Sequence, residues 1–248
     1  MGDGTRFGEV AEDYDDVRPG YAPGLAEAIA AYHGRPPGHV LEIGAGTGKG
    51  TEVLRNLGGA LTCVEPDERM AAVLCARFLE VTVLVAPFES AFESAGAGPA
   101  DVVGCAMAWH WLDPARRNRL AFDALRPGGT LAVFGHRYAY ADPAHARAFD
   151  AAFAAVDPTP PVVRHDDWAF DDIRSSGLFA DARLVRTDRP LPMSAERYLR
   201  LVRTFGPFRA KDAAGQARTL EVLAATLDDL GGATVLDLRT TLALARRA

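Results

Sequence analysis

Three glycines at alternate positions, preceded by a carboxylate, are the residues of this chain whose types and spacing best suit ligand binding. Residues 39–51 read HVLEIGAGTGKGT, so an apolar run that contains Glu42 leads directly into Gly44, Gly46 and Gly48. Glycine adopts backbone angles that a Cβ opposes, and it lets a ligand approach the main chain closely. A helical pattern follows the turn, and strand, tight turn and helix are together the ingredients of a nucleotide-binding half-fold.

The spacing of the glycines separates the ligand classes that use such a turn. A dinucleotide fingerprint, G-x-G-x-x-G, counted from Gly44 would need a third glycine where Lys49 stands. A Walker A loop, G-x-x-x-x-G-K-[ST], would need a glycine at Ile43 and a hydroxyl residue at Gly50. The remaining pattern is E-x-G-x-G-x-G, which begins at Glu42, a carboxylate that is costly to bury in an apolar strand unless something uses it. A glycine-rich turn that binds nothing is the alternative.

The E-x-G-x-G-x-G pattern at residues 42–48 resembles the first motif of the class I S-adenosylmethionine-dependent methyltransferases. Further segments resemble other parts of that family: FxxxAxxYdxxRPgY at 7–21 its N-terminal cap, AWHWLD at 108–113 its fourth motif, and ALRPGGTLAVF at 124–134 the turn before its fifth strand. The resemblance covers most of residues 5–135. It implies an α/β fold, a Rossmann-like doubly wound seven-stranded sheet with the last strand antiparallel, and a helical cap and lid.

Within that fold we expect one methyltransferase domain over residues 1–248. Its parts are an N-terminal helical cap at 5–33, a core at 38–135, a lid insertion at 136–180, and C-terminal strands with further lid helices at 181–248. Apolar runs predict the seven strands at 40–43, 61–65, 81–85, 101–106, 130–134, 182–187 and 234–244. Helical spacing predicts helices at 23–32, 68–78, 113–125, 143–156, 167–175, 195–204 and 211–230, the last with an interruption at Gly215.

A second carboxylate, Glu65, follows the second predicted strand and stands 17 residues after Gly48. A carboxylate at that strand end accepts two hydrogen bonds from the vicinal hydroxyls of a ribose, which suits both dinucleotides and S-adenosylmethionine. The alternative is that Glu65 or Asp67 caps the next helix. We expect Asp67 to be the cap and Glu65 to bind the ribose.

The resemblance extends the expected S-adenosylmethionine site beyond these two carboxylates. Met70 and Phe88 are placed near the adenine, although both also suit the core, and Glu89 is an acceptor for the exocyclic amine. Tyr14 and Arg18 of the cap are placed near the cofactor carboxylate or the substrate, with packing and a surface charge as their alternatives. The full expected cofactor-binding set is Glu42, Gly44, Ala45, Gly46, Gly48, Glu65, Pro66, Met70, Phe88, Glu89, Ala106, Met107, Tyr14 and Arg18.

A histidine between two tryptophans, Trp109-His110-Trp111, follows the fourth predicted strand. That strand neighbours the first across the topological switch point, where a doubly wound sheet opens its binding crevice. Neutral imidazole accepts a proton near pH 7, so His110 is a candidate general base, with Tyr14 as a second catalytic candidate. A role of His110 in architecture or cofactor packing is the alternative.

Aromatic and basic residues after the fourth strand are the candidates for contact with the substrate. No paired spacing ties them together, and each alone also suits a structural role. The candidates are Trp109, Trp111, Tyr138, Trp168 and Arg203, with His145 and His165 as further residues of the expected lid.

The composition limits the kind of partner. A chain of 248 residues with a net charge of −6 lacks the basic balance of a nucleic-acid-binding surface. No apolar run reaches membrane-spanning length, and the first residues do not form a signal-peptide pattern. Cys63, Cys75 and Cys105 show no CxxC pairing, which is typical of reduced cysteines in a cytoplasmic protein, and no metal site is expected.

These patterns together predict methyl transfer from S-adenosylmethionine to a small-molecule acceptor. The attacking atom is oxygen, nitrogen or carbon, and an acceptor from secondary metabolism is the default for an acidic domain with an aromatic-rich lid. We expect a monomer or homodimer. The alternatives are a protein that binds S-adenosylmethionine without transferring its methyl group and a nicotinamide-dependent oxidoreductase.

Overall fold

The computed structural model describes residues 15–94, 99–157 and 164–248. Its centre is one seven-stranded sheet with the strand order β3-β2-β1-β4-β5-β7-β6. Strands β1 to β5 are parallel, and β7 runs antiparallel to both of its neighbours. This confirms the predicted doubly wound sheet, in which strands are added on one side of β1 up to β3 and on its other side from β4 onward. None of the helices in the described ranges is long and apolar enough to cross a membrane.

The strands of the sheet differ in length between its two halves. They are β1 (His39–Ile43), β2 (Ala60–Val64), β3 (Thr82–Leu84), β4 (Ala100–Ala106), β5 (Leu125–Tyr140), β6 (Ala180–Ser194) and β7 (Ala233–Arg246). The prediction ended β5 at Phe134 and β6 at Thr187, and both ends were wrong. Strand β5 continues because β7 pairs with it from Thr130 to Tyr140, a distant partner that satisfies the backbone of a mixed polar and aromatic segment.

Ten helices of the described chain flank the sheet, besides a single 3₁₀ turn at Arg55–Leu57. They are α1 (Leu25–His33), α2 (Thr51–Leu54), α3 (Glu68–Arg77), α4 (Phe88–Ser94), α5 (Arg117–Ala124), α6 (Pro143–Val156), α7 (Trp168–Ser175), α8 (Ala195–Arg203), α9 (Gly206–Arg209) and α10 (Ala213–Asp229). The interruption predicted at Gly215 was wrong. Gly215 lies in the first turn of α10, where its N–H donates to the capping carboxylate of Asp212.

Two apolar clusters cover the two faces of the sheet. Leu41 and Ile43 of β1 belong to one cluster with α4, α5 and α7, while Val40 belongs to the other with α1, α2 and α3. Neighbouring residues of a buried parallel strand point to opposite faces, so both faces of β1 are packed. The central strand is therefore rigidly held, and its C-terminal end is a stable base for a site.

A third apolar cluster lies beside the extended part of β5, β6 and β7. Phe149 of α6 packs there with Tyr198 and Leu201 of α8 and Leu223 of α10. The segment at 136–180, which was expected to form a lid, is therefore divided. Its first residues prolong β5, α6 joins this helical layer, and α7 packs on the sheet through Ile173.

Candidate active site

The glycine turn after β1 has a backbone that side chains oppose. Gly44, Gly46 and Gly48 have φ values of 65°, 57° and 98°, in the region that favours glycine. The N–H groups of Gly44 and Ala45 both donate to the carbonyl of Val64, at N···O distances of 2.8 and 3.1 Å. These bonds fix the turn to the end of β2.

The same turn also touches the segment that follows β4. A Cβ on Gly44 would lie 2.4 Å from the Cβ of Ala108. Met107, which precedes Ala108, has a φ of 57°, a conformation that is uncommon for a side chain of this size. Because the β1 and β4 ends meet at the topological switch point, this close approach builds the floor of a cleft.

Glu65 lies directly beside the glycine turn. Its Oε2 accepts from the Gly46 N–H at 2.7 Å and its Oε1 accepts from the Asp67 N–H at 2.9 Å. The side chain is buried, and this burial raises the pKa of the carboxyl above its usual range. Asp67 caps α3 by accepting from the N–H groups of Arg69 and Met70, so the predicted helix cap is confirmed.

Glu42 lies beneath the turn and is fully buried. Its Oε2 accepts from the Thr51 hydroxyl at 2.5 Å and from the Cys63 thiol at 3.5 Å, whereas Oε1 has no hydrogen-bond partner within the described residues. Burial raises the pKa of Glu42 to about 8, against the opposing effect of the two hydrogen bonds. A Cβ on Gly50 would lie 2.4 Å from Glu42 Oε1, so glycine at that position leaves room for this carboxyl.

A cleft that is open to solvent lies above the turn. It brings together six residues of the predicted cofactor set and one predicted substrate contact, Tyr138. Its lining consists of Arg18, Pro19, Tyr21, Gly44, Ala45, Gly46, Thr47, Lys49, Gly50, Ala106, Met107, His136 and Tyr138. The sequence prediction missed His136 because it ended β5 two residues earlier, and it missed Lys49 and Thr47 although both stand within the glycine motif.

Residues 15–21, which we call the strap, contribute Arg18, Pro19 and Tyr21 to the cleft lining and are anchored at the glycine turn by Asp15. The Thr47 hydroxyl donates to Asp15 at 3.0 Å, and the Lys49 ammonium lies 3.3 Å from the same carboxylate. Arg77 of α3 forms a second ion pair with Asp15. The strap is thus held by charge to the glycine turn.

The other end of the strap is held by the helical layer and β6. Arg18 donates to the hydroxyl and the carbonyl of Thr204 at 2.9 and 3.1 Å, and its guanidinium lies 4.8 Å from the centre of the Phe205 ring. Arg189 donates to the carbonyl of Gly20 at 2.7 Å. These contacts hold the predicted cofactor residue Arg18 in the cleft wall.

His136 forms the side wall of the cleft between the strap and β5. Its ring stacks on Tyr21 with centroids 4.1 Å apart, and its Nδ1 lies 2.8 Å from the Thr240 hydroxyl. Burial, together with the positive charges of Arg189 and Arg18, lowers the pKa of His136 to about 3. The imidazole is therefore neutral at physiological pH.

The Trp109-His110-Trp111 segment lies apart from the described cleft lining. Trp109 is 1% exposed, and its indole N–H donates to Asp172 at 2.9 Å. The His110 ring lies 4.6 Å from the ring of Trp111, which is 40% exposed. Burial, with the charges of Arg164 and Arg117, lowers the pKa of His110 to about 4. The structure therefore places Trp109 in the core, and neither His110 nor Trp111 is among the residues that line the cleft.

The other predicted site residues occupy three kinds of position. Met70 and Phe88 are buried, with the Met70 Sδ about 4.0 Å from where a Cβ on Gly46 would lie. Pro66 is exposed after the end of β2, and Glu89 is half-buried in the first turn of α4. Tyr14 lies outside the described residues.

The predicted lid residues, apart from Tyr138, do not line the cleft. Trp168 packs against the sheet core, and the Arg117 guanidinium lies 5.3 Å from its ring centre. His145 Nδ1 lies 2.9 Å from the Thr234 hydroxyl. His165 is exposed near Asp171, and Arg203 is exposed at the end of α8. The structure thus gives these residues surface or packing positions.

Comparison with known proteins finds methyltransferases both by sequence and by fold. Residues 41–133 match the family model described as a methyltransferase domain. Uncharacterized methyltransferases of Mycobacterium bovis and Mycobacterium tuberculosis are each 36% identical to the chain over 127 residues, which are 51% of this chain and 50% of each relative. The chain spans about half the length of the curated relatives that it matches.

Solved structures share the fold at low sequence identity. A proposed type II methyltransferase from Anaeromyxobacter dehalogenans has a TM-score of 0.66 and 20% identity over 92% of this chain and 97% of its own. A phosphoethanolamine N-methyltransferase of Haemonchus contortus, in complex with S-adenosyl-L-methionine, has a TM-score of 0.54 and 16% identity over 97% of this chain and 57% of its own. Residues 41–133 are therefore similar to a methyltransferase domain, and the seven-stranded fold is shared with solved methyltransferase structures.

Proposed function

We propose that the chain binds S-adenosylmethionine in the cleft and transfers its methyl group to a small-molecule acceptor by in-line displacement. The observation that carries this proposal is the position of Glu65, whose carboxylate is hydrogen-bonded to Gly46 of the glycine turn at 2.7 Å. Ribose-binding carboxylate and backbone turn are thereby parts of one surface at the carboxyl edge of the sheet. Bound S-adenosylmethionine supplies a methyl group on a sulfonium, which is already an excellent leaving group.

The residues present fit the ribose and adenine of this cofactor. Each oxygen of Glu65 accepts one backbone hydrogen bond and keeps a second lone pair for a ribose hydroxyl. Met70 and Phe88 offer apolar surface for the adenine, and Glu89 offers an acceptor for its amine. This arrangement makes Glu65 the main polar contact of the nucleoside.

The glycine turn and the strap fit the methionine end. The backbone from Gly44 to Gly46 faces the cleft with no side chain beyond the methyl of Ala45. Arg18 and Lys49 bring two cations into the cleft wall, which suit a carboxylate. Arg18 is held by Thr204, so its guanidinium is oriented in advance and less side-chain entropy is lost on binding.

We place the acceptor between the strap and the extended part of β5. Tyr21, His136 and Tyr138 line this side of the cleft, opposite the glycine turn. The task of these residues is to align the attacking oxygen, nitrogen or carbon with the methyl group and to exclude water. We propose His110 as the general base. Its lowered pKa leaves it neutral at pH 7 but also makes it a weak base.

A small acceptor agrees with the charge of the molecule. The net charge of −6 disfavours an anionic polymer as the acceptor. We propose a cytoplasmic monomer or homodimer that acts on a metabolite, with secondary metabolism as the source to examine first.

The experiment that tests methyl transfer is a screen with methyl-labelled S-adenosylmethionine. The wild-type protein is incubated with fractionated small-molecule extract, and label is followed into extractable products, with boiled protein as the control. The proposal predicts labelled product in at least one fraction. If S-adenosylhomocysteine binds but no fraction accepts label, the alternative of a binding protein without methyl transfer replaces it.

A further inference from the structure

Glu42 is a buried carboxyl with one oxygen left without a partner. Its Oε2 is held by Thr51 and Cys63, and its Oε1 is without a hydrogen bond in the part of the chain that the structure describes. An unpaired oxygen in a fully buried position is unfavourable when the group is ionised and much less so when it is protonated. The ligand-free geometry therefore favours the neutral acid.

The unpaired oxygen lies immediately behind the wall of the cleft. Gly50 and Ala106 both line the cleft, and a Cβ on Gly50 would lie 2.4 Å from Glu42 Oε1 and 2.4 Å from the Ala106 Cβ. A single layer of backbone at Gly50 thus separates the carboxyl from the cleft. A charge inside the cleft acts on Glu42 through protein rather than through water, where electrostatic interactions are stronger.

The two cations of the cleft wall, Arg18 and Lys49, are not among the groups that shift the pKa of Glu42, and Lys49 is paired with Asp15. The groups that act on Glu42 are the Thr51 hydroxyl from α2, the Cys63 thiol from β2, the Cys105 thiol from β4, and the Glu65 carboxylate at the end of β2. Burial raises the pKa of both thiols, so they stay neutral at physiological pH. Glu65 adds negative charge, and no cation is among the described groups that shift the pKa of Glu42.

We propose that Glu42 senses the charge of the ligand, so that a cationic cofactor in the cleft ionises it and a neutral one does not. This inference rests on the proposed binding of S-adenosylmethionine. With its sulfonium, ammonium and carboxylate, S-adenosylmethionine carries a net charge of +1, whereas S-adenosylhomocysteine has lost the sulfonium charge. On binding of the cation, the O–H bond of Glu42 breaks, the electron pair stays on the carboxylate, and the proton passes to the solvent.

The consequence is a preference for substrate over product. After methyl transfer the sulfur is neutral, Glu42 takes its proton back, and the electrostatic attraction is lost. Because the pKa of Glu42 is about 8 without ligand, the preference grows as the pH rises from 6 towards 8. A decrease of about one pKa unit on binding corresponds to a roughly tenfold change in the ratio of the two dissociation constants.

Calorimetry of the wild-type protein tests this directly through the number of protons released. S-adenosylmethionine, S-adenosylhomocysteine and sinefungin, in which an amine cation replaces the sulfonium, are each titrated at pH 7 in phosphate and in Tris. The dependence of the binding enthalpy on the ionisation enthalpy of the buffer gives the proton count. We expect the two cationic ligands to release roughly 0.4 to 0.9 of a proton more than S-adenosylhomocysteine, because a Glu42 carboxyl with a pKa of about 8 is already partly ionised at pH 7.

Glu42→Gln is the matched variant, because the amide keeps the shape but cannot ionise. In Glu42→Gln, we expect the part of the difference in proton release between cationic and neutral ligands that Glu42 causes to vanish. Equal proton counts in the wild type, or an undiminished difference in Glu42→Gln, would overturn the inference. If Glu42→Gln does not fold, Thr51→Val is the second test. It removes the hydrogen bond that stabilises the carboxylate, so the pH range over which ligand binding releases a proton should move to higher pH. An unchanged pH range contradicts the proposal.

The outcomes also separate this inference from the proposed function. Tight binding of both cofactor forms with the same proton count refutes the charge sensor and leaves the methyltransferase intact. Failure of all three ligands to bind refutes the cofactor itself, and the charge sensor with it.

Discussion

The backbone N–H of Gly46 donates to the carboxylate of Glu65 at an N···O distance of 2.7 Å, which joins the turn after β1 to the end of β2. The bond brings the two most informative features of the sequence into one surface. It also orients the carboxylate before any ligand arrives. This surface and the Glu42 carboxyl beneath it determine how substitutions should change ligand binding and stability.

Glu65→Ala is expected to weaken binding of S-adenosylhomocysteine by one to two orders of magnitude, roughly the value of two charge-assisted hydrogen bonds to the ribose. Calorimetry measures the effect. Glu68→Ala is the control, because Glu68 is an exposed glutamate in the first turn of α3, three residues further on. An unchanged dissociation constant in Glu65→Ala would remove Glu65 from the ribose site.

Gly44→Ala is expected to reduce cofactor affinity at least tenfold and to lower the unfolding temperature. Its Cβ would lie 2.4 Å from the Cβ of Ala108 in addition to the strain of a φ of 65°. Gly34→Ala is the control: Gly34 has a φ of 84°, and nothing lies within 4 Å of its added Cβ. Both variants place a side chain at a positive φ, and this backbone strain costs each of them about 1–2 kcal/mol. Equal effects of both variants on binding would show that the close approach to Ala108 does not shape the site.

Glu42→Gln is expected to flatten the pH dependence of stability. The Glu42 carboxyl has a pKa of about 8 in the native protein and an ordinary value of 4.5, so between these values the native state holds a proton that the unfolded state has lost. Native stability therefore falls as the pH rises through this window, and the amide removes that fall. Urea unfolding at pH 5, 7 and 8.5 measures it. The free energy of unfolding of Glu42→Gln, relative to that of the wild type, should increase from pH 5 to about 8. A difference that stays constant with pH contradicts the raised pKa of Glu42.

His110→Ala tests the general base with an acceptor from the labelling screen. A catalytic His110 predicts a loss of kcat of at least about a hundredfold with unchanged affinity for S-adenosylhomocysteine. Because the base must be unprotonated, wild-type activity would then fall as the pH drops through about 4, the pKa of His110, rather than through its ordinary 6.5. A much smaller loss of kcat assigns His110 to the packing of the loop after β4.

The sequence predicted the sheet and the first two motifs well because these are local patterns. Glu42, Gly44 and Glu65 stand at fixed distances from strand ends, and parallel strands align their carboxyl ends at one edge. The registers of β1 with β2 and β4, which place Ile43 beside Val64 and Cys105, satisfy that expectation.

The side wall of the cleft could not be predicted in the same way, because it depends on pairing between distant segments. His136 and Tyr138 reach the cleft only because β5 continues along β7, where they lie opposite Thr240 and Leu238. In the sequence these residues follow the apparent end of a strand. Trp109 is the opposite case, because a local pattern suggested a site that the structure does not show. Its indole is buried, and the indole N–H donates a hydrogen bond to Asp172.

The most direct test of the central claim is calorimetric titration of the wild-type protein with S-adenosylhomocysteine and, separately, with NAD. With Glu65 beside the glycine turn, the proposed site is expected to bind S-adenosylhomocysteine at one site per chain and far more tightly than NAD. Tighter binding of NAD would contradict the account and favour a nicotinamide-dependent oxidoreductase.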